Sequence, residues 1–327
     1  MDRPQLATER VPLQKMSPKP PLKRRLRARG IEALVRTLGW LPSATLEKSA
    51  RPLARLAVRR QFARTVEANV RAAEPWLMAH APDVAERMRD LPRFQRDVAD
   101  FTALQATQWL RLARGAGPDD RRGAWVDQLV ELDPSIELFD AALARGRGVI
   151  VVTAHIGNWE LLCARLRRRG TPGAVVGRVR RNDPSHSWLG KMRSAYGVLT
   201  LPQDGSPREM LRILRDGGVL GLLTDLRARR VDSTPLPLLG VDVETMSAAA
   251  SFARASSAPI LPVRCVQRPT GRFQLSVEPE LAFDEQLDRH EAARALLLEQ
   301  NRTFERWIVD TPEQWAWHQE RLAPQKT

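Results

Sequence analysis

The chain has 327 residues with 52 Lys and Arg against 38 Asp and Glu, a formal charge of +14 that asks for an anionic partner. Aromatic residues are only 6% of the chain, with a single tyrosine, and no nucleic-acid-binding motif is recognisable, so the charge is ascribed to a membrane and acidic substrates and not to nucleic acid. Two cysteines, Cys163 and Cys265, and scattered histidines without metal-ligand spacing exclude a disulfide framework and a metal cofactor and imply a reducing, cytoplasmic setting.

Residues 1–21 are rich in proline and charge and are expected to form a disordered basic tail. Leu22, Leu26, Ile31, Leu34, Val35, Leu38 and Leu41 then recur at helical spacing, with Lys23, Arg24, Arg25, Arg27, Arg29 and Arg36 between them. Such a basic amphipathic segment lies in the interface of an anionic bilayer or, alternatively, packs as an ordinary surface helix. Seventeen Lys/Arg against six Asp/Glu within residues 1–75 concentrate the excess charge here. No run approaches the ~18 consecutive apolar residues of a membrane-spanning helix, and no apolar segment with a cleavage site marks a signal peptide. Pro42, Pro52, Pro75, Pro82 and Pro92 predict short helices joined at sharp turns.

Beyond this portion, periodicity predicts helices around 94–114, 134–145, 157–169, 185–195, 206–216, 245–257 and 287–309. Strands are predicted around 148–153, 173–178, 198–201, 218–223, 259–267 and 272–277. The alternation gives the α/β class: a mainly parallel central sheet covered by helices, with a helical, basic N-terminal portion. The expected organisation is the tail at 1–21, a helical, membrane-associating portion at 22–115 and an α/β core at 116–327. No Gly/Ser linker divides 22–327, which is taken as one structural domain.

The chemistry centres on His155 and Glu160. Val149 to Val152 are four consecutive β-branched residues, the pattern of a strand buried on both faces, and the chain turns polar just after them at His155-Ile-Gly157-Asn158-Trp159-Glu160. His155 therefore falls at the carboxyl end of a strand, where open α/β sheets bind their ligands. A neutral imidazole takes a proton from an alcohol, and a carboxylate on its other nitrogen fixes the tautomer, as in a Ser-His-Asp triad whose serine is replaced by the substrate. The residues predict acyl transfer to an acceptor hydroxyl with His155 as base and Glu160 as its orienting carboxylate. No G-x-S-x-G, Walker A or H-E-x-x-H sequence is present.

The run His-x-Gly-Asn-Trp-Glu after Gly-Val-Ile-Val-Val-Thr-Ala resembles the signature of the bacterial lipid A biosynthesis (lauroyl/myristoyl) acyltransferases, within the lysophospholipid acyltransferase group. Arg64 to Arg71, with Asn69, and the following Pro75 resemble a second family element. Thr224-Asp225, Pro237-Leu-Leu-Gly240, Thr245 and Ala258 to Val263 resemble a third, and Pro312-Glu-Gln-Trp-Ala-Trp317 with Arg321 a fourth. The family commonly carries a histidine two positions after the terminal tryptophan; Gln319 stands there, and His318 is assigned no role.

The resemblance implies acyl carrier protein, or acyl-CoA, as donor and a phosphorylated, Kdo-bearing glucosamine disaccharide as acceptor, at the cytoplasmic face of the inner membrane. It also implies substrate-binding roles for Arg178 and Arg193. Asp225, at the same sheet edge as His155, is expected to hold Arg178 or a substrate group. Gly157 and Asn158 set the turn and cap the helix, and their N–H groups are expected to be exposed to an oxyanion. Arg165 to Arg169 and Arg227 to Arg230 are candidate docking clusters for an acidic carrier. The rival acceptor is a mannosylated phosphoinositide, with acyl-CoA as donor.

Overall fold

Val149–Thr153 is buried at every residue, as its unbroken apolar run requires. It lies at the middle of the sheet in the computed structural model, which describes residues 37, 43–114, 121–177, 184–225 and 232–322. In chain order the strands are β1 (Val130–Leu132), β2 (Val149–Thr153), β3 (Gly173–Gly177), β4 (Leu199–Pro202), β5 (Val219–Leu223), β6 (Ser233–Leu238), β7 (Val241–Met246), β8 (Ile260–Gln267) and β9 (Phe273–Val277). Seven form one sheet in the order β1-β9-β8-β2-β5-β3-β4, parallel throughout except for the antiparallel pair β8–β9. The expected α/β class with a mainly parallel sheet is what the chain forms.

Alternation along β2 divides the core. Val149 and Val151 face a cluster containing Leu161, Leu162, Val175 and Tyr196, while Ile150 and Val152 face one containing Met210, Leu214, Ala250 and Leu297. Each such fully buried aliphatic side chain contributes roughly 1.5–3 kcal/mol. The first face is covered by α4 (Leu91–Leu112), α5 (Ala124–Leu129), α6 (Ile136–Ala144), α7 (Trp159–Arg168) and α8 (Pro184–Ala195), numbered in chain order. The second is covered by α9 (Pro207–Arg215), α10 (Ala248–Ser256) and α11 (Arg289–Asp310).

The helices of the first third are longer than the prolines predicted. α1 (Ser43–Ala57) contains Pro52 and runs through a π-helical turn, Val58–Phe62, towards α2 (Ala63–His80), which contains Pro75; only Pro82, in α3 (Pro82–Arg89), and Pro92, in α4, occupy first turns. An interior proline costs ~3 kcal/mol. Burial of Val66, Val70, Ala73 and Leu77 along α2 offsets that cost. Pro42 and nearly all of the amphipathic segment 22–41 lie outside the described residues. Among those described, no helix is long and apolar enough to cross a membrane.

Two further features escape the sequence pattern. β6 and β7 form a hairpin closed by Leu239 and Gly240, both at positive φ (51° and 75°), a geometry suited to a two-residue turn. Proline is tolerated in this two-stranded ribbon because Pro235 and Pro237 both stand exposed while Leu236 and Leu238 point inward. The helix expected from residue 245 begins at Ala248 because Thr245 and Met246 complete β7.

The pairing of β2 with β5 places the site. Their register runs from Val149↔Val219 to Thr153↔Leu223. His155 and Asp225 each stand two residues beyond those ends, side by side at the carboxyl edge of the sheet.

Candidate active site

A single carboxylate holds His155 twice. Asp225 Oδ1 lies 2.7 Å from the ring Nδ1, and Oδ2 accepts the His155 backbone N–H at 2.9 Å. With Asp225 as the acceptor, Nδ1 carries the proton and Nε2 presents its lone pair. The imidazole is 12% exposed and the Asp225 side chain 0% exposed, so the pair is reachable only from the imidazole side.

Asp225 is itself clamped from behind. Trp315 Nε1 donates to Oδ2 at 2.9 Å, and Arg321 Nη1 donates both to Oδ2 and, at 3.1 Å, to the Asp225 carbonyl. Burial would raise the Asp225 pKa, but the Arg321 guanidinium and His155 hold it well below the usual carboxylate range. Burial also lowers the His155 pKa, against the opposing pull of Asp225, and so favours the neutral ring. Neither Trp315 nor Arg321 was predicted as a site residue; their signal was the terminal Pro-Glu-Gln-Trp-Ala-Trp…Arg element.

Glu160 does not supply the carboxylate on the imidazole nitrogen. Its side chain is 0% exposed and faces α8, where Arg193 Nε donates at 3.1 Å to both oxygens, Arg193 Nη2 donates to Oε1 at 2.6 Å and the Tyr196 hydroxyl donates to Oε2. The sequence reading paired Glu160 with His155 because they are five residues apart, whereas helix α7 carries Glu160 to a different neighbour. Burial works against the charge on Arg193, yet Glu160 raises its pKa above the ordinary value. Burial and Glu160 also push the Tyr196 hydroxyl well above its usual range and the Cys163 thiol up to about 12.

The expected exposure of the Gly157 and Asn158 amides is corrected. Gly157 N–H donates to the Gln314 carbonyl at 3.0 Å and Asn158 N–H to the Cys265 carbonyl at 2.7 Å, so neither is free for an oxyanion. Gly157 has φ +59°, and a Cβ there would stand 2.1 Å from the Cys265 oxygen, which leaves room only for glycine. Asn158 does cap α7, its Oδ1 accepting from Leu161 N–H at 3.2 Å and from Trp109 Nε1 at 3.1 Å. Trp159 packs edge-on against the His155 ring at 4.8 Å between centroids.

The remaining family-like elements meet around this turn. Ala316 N–H donates to the His155 carbonyl at 3.0 Å, and Ile156 bridges Trp315. From α2, Asn69 Nδ2 donates to the carbonyls of Trp317 and Gln319 at 2.9 and 2.7 Å, and its Oδ1 accepts Leu322 N–H at 3.0 Å. His318 packs on Phe62, and burial together with Arg321 lowers its pKa to about 4.

Arg178 and Arg227 to Arg230 lie outside the described residues. The cluster Arg165 to Arg169 is not an open cationic surface: Arg165 and Arg168 pair with Asp127, and Arg169 with Asp140. Its charge had looked free because the sequence does not show that α5 and α6 bring these aspartates beside α7.

A comparison with curated proteins found no match. Residues 118–323, which contain His155, Glu160, Arg193, Asp225, Trp315 and Arg321, match the model of the bacterial lipid A biosynthesis acyltransferases, and the chain belongs to that family.

Proposed function

We propose that the protein transfers an acyl chain from an acyl thioester, carried by acyl carrier protein, to a hydroxyl of a phosphorylated lipid A precursor. The observation that carries this reading is the His155–Asp225 pair at the carboxyl edge of the sheet, with Nδ1 engaged and Nε2 left to act. Nε2 removes the acceptor hydroxyl proton as the oxygen bonds to the thioester carbonyl carbon. The C–S bond then breaks and the thiol departs with the proton from the imidazolium, which Asp225 stabilises in the interim.

The test is transfer of labelled acyl groups from acyl carrier protein or coenzyme A to the Kdo-bearing precursor. Product is expected with the carrier-protein donor. No product from either donor would remove the lipid A reading, and transfer only from coenzyme A to a mannosylated phosphoinositide would replace it. Because the imidazole must be neutral to act and burial lowers its pKa below 6.5, activity is expected to persist as pH falls below 6.5 before the acid limb appears.

The acceptor is a membrane lipid, and the reaction is assigned to the cytoplasmic face of an anionic membrane. Support comes from α1 and the turn after it, where Leu53 and Leu56 are 68% and 44% exposed and Arg59 and Arg60 stand exposed beside them. Co-sedimentation of the full chain with phosphatidylglycerol-containing vesicles is expected to weaken about tenfold or more in Leu53→Asp/Leu56→Asp. Equal binding by the variant would exclude this face as the contact.

A further inference from the structure

We infer that helix α9 carries the docking surface for the protein that delivers the acyl thioester: Arg208, Arg212 and Arg215 form one outward basic stripe that fits an acidic helix of an acyl carrier protein. This rests on the acyl-transfer reading above and says where its protein partner lands.

Four observations carry it. First, the three arginines are four and three residues apart, which sets them on one face of α9 over about 10 Å of its length. That face points away from the sheet, because Met210 and Leu214, on the opposite side, are buried in the core of the second face. Second, all three are exposed and, among the described residues, none of them pairs with a carboxylate. The cluster Arg165 to Arg169 differs in this respect, since Asp127 and Asp140 occupy it. Third, the helix itself does not call for Arg208. Cations in the last turn, where Arg212 and Arg215 stand, complement the helix dipole, whereas Arg208 follows Pro207 in the first turn, where a positive charge is unfavourable. Fourth, the stripe begins at the catalytic edge of the sheet. β4 ends at Pro202 and α9 opens at Pro207, so Arg208 stands on the carboxyl side of strands that all run parallel. The order β2-β5-β3-β4 puts β4 three strand spacings, about 14 Å, from the strand that leads to His155.

That separation suits a donor whose thioester hangs on an extended arm while its folded body rests beside the site. Carboxylates one helical turn apart on the partner repeat the spacing of the arginines, and opposite charges across an interface steer the encounter and fix its register. A bilayer fits less well. α1, the proposed membrane contact, is held to α4 by Arg55 Nε on Asp100 Oδ1 at 2.6 Å, and α4 covers the first face of the sheet. α9 covers the second, so its stripe faces away from a membrane lying against α1.

The experiment uses the triple charge reversal Arg208→Glu/Arg212→Glu/Arg215→Glu in the full chain. Binding of unacylated acyl carrier protein, read by fluorescence anisotropy of a labelled carrier at low salt, is expected to weaken about thirtyfold or more. In the unmodified chain the same binding is expected to fall as salt is added. With the acylated carrier as donor, kcat/KM is expected to drop by a similar factor through KM, while kcat/KM for acyl-CoA and co-sedimentation with vesicles stay within about threefold. If the reversal does not fold, Arg208→Gln/Arg212→Gln/Arg215→Gln serves, with a loss of about tenfold expected for the carrier alone.

Equal carrier binding by variant and parent, or an equal loss with both donors, would overturn the inference. Loss of vesicle binding would overturn it in favour of the membrane. The binding measurement needs no turnover and so stands apart from the acyl-transfer assay. A chain that transfers acyl groups from coenzyme A and does not bind the carrier would remove the docking surface and leave acyl transfer standing. A chain that binds the carrier through the stripe without acylating the lipid A precursor would keep the docking surface and remove that acceptor.

Discussion

Asp225→Asn is expected to lower the single-turnover rate of acyl transfer by about four orders of magnitude, as far as His155→Ala does, with little change in the fold. The reason lies in how the two carboxylate oxygens are used. Oδ2 accepts from the His155 backbone, Trp315 and Arg321, while Oδ1 alone faces the imidazole. An asparagine must give its carbonyl oxygen to the three donors and turn its NH2 towards Nδ1. Nδ1 then becomes an acceptor, the proton moves to Nε2, and the nitrogen that should take the hydroxyl proton is occupied. The variant also lacks the charge that stabilises the imidazolium. Retention of activity within tenfold of the unmodified protein would show that Asp225 does not set the tautomer.

Arg321→Met is expected to destabilise the protein by about 3–5 kcal/mol at neutral pH, because it leaves a buried carboxylate without its cation. Arg321 and Asp225 have side chains 1% and 0% exposed, so water does not replace the lost partner. The pH dependence gives the sign. With Arg321 present the Asp225 pKa is depressed, and the resulting stability is fully present above the unfolded carboxylate pKa and lost as pH falls through the folded one. With methionine in place, burial raises the Asp225 pKa, the cost is largest when the group must ionise, and the gap between the two proteins narrows as the medium is acidified. Urea unfolding at pH 7.5 and pH 5 measures both the gap and its trend; equal midpoints at pH 7.5 would sink the argument.

The sheet was legible because its strands are short apolar runs bounded by polar turns: Val149–Thr153, Val219–Leu223 and Ile260–Gln267 stand close to where the pattern put them. His155 was legible for the same reason, since its place at a strand end follows from local sequence alone. The partner of its imidazole was not. Asp225 reaches His155 through the register of β2 on β5, a pairing across 70 residues, whereas Glu160 is close in sequence but is aimed elsewhere by one turn of helix. Short-range spacing reports on helix faces; it does not report on which strands are neighbours. Arg321 and Trp315 were hidden for the same reason, although the element that contains them had been noticed. The β6–β7 hairpin was not among the expected strands, although its Pro237 to Gly240 stretch had been noticed as a family-like element.

The clasp of Asn69 on the Trp317–Leu322 segment bears on the order in which the protein can be made. A ribosome delivers Asn69 and His155 early, Asp225 next, and Trp315 and Arg321 only 90 and 96 residues after Asp225. The strands of the sheet all precede that last segment, so a nascent chain can assemble its α/β layers while the aspartate still lacks both donors and the imidazole its fixed proton. Competence for proton transfer is thus acquired late, when translation has passed Arg321. A chain interrupted before that point would lack both the donors that set the base and the buried Trp315 and Trp317 that complete one of its core clusters.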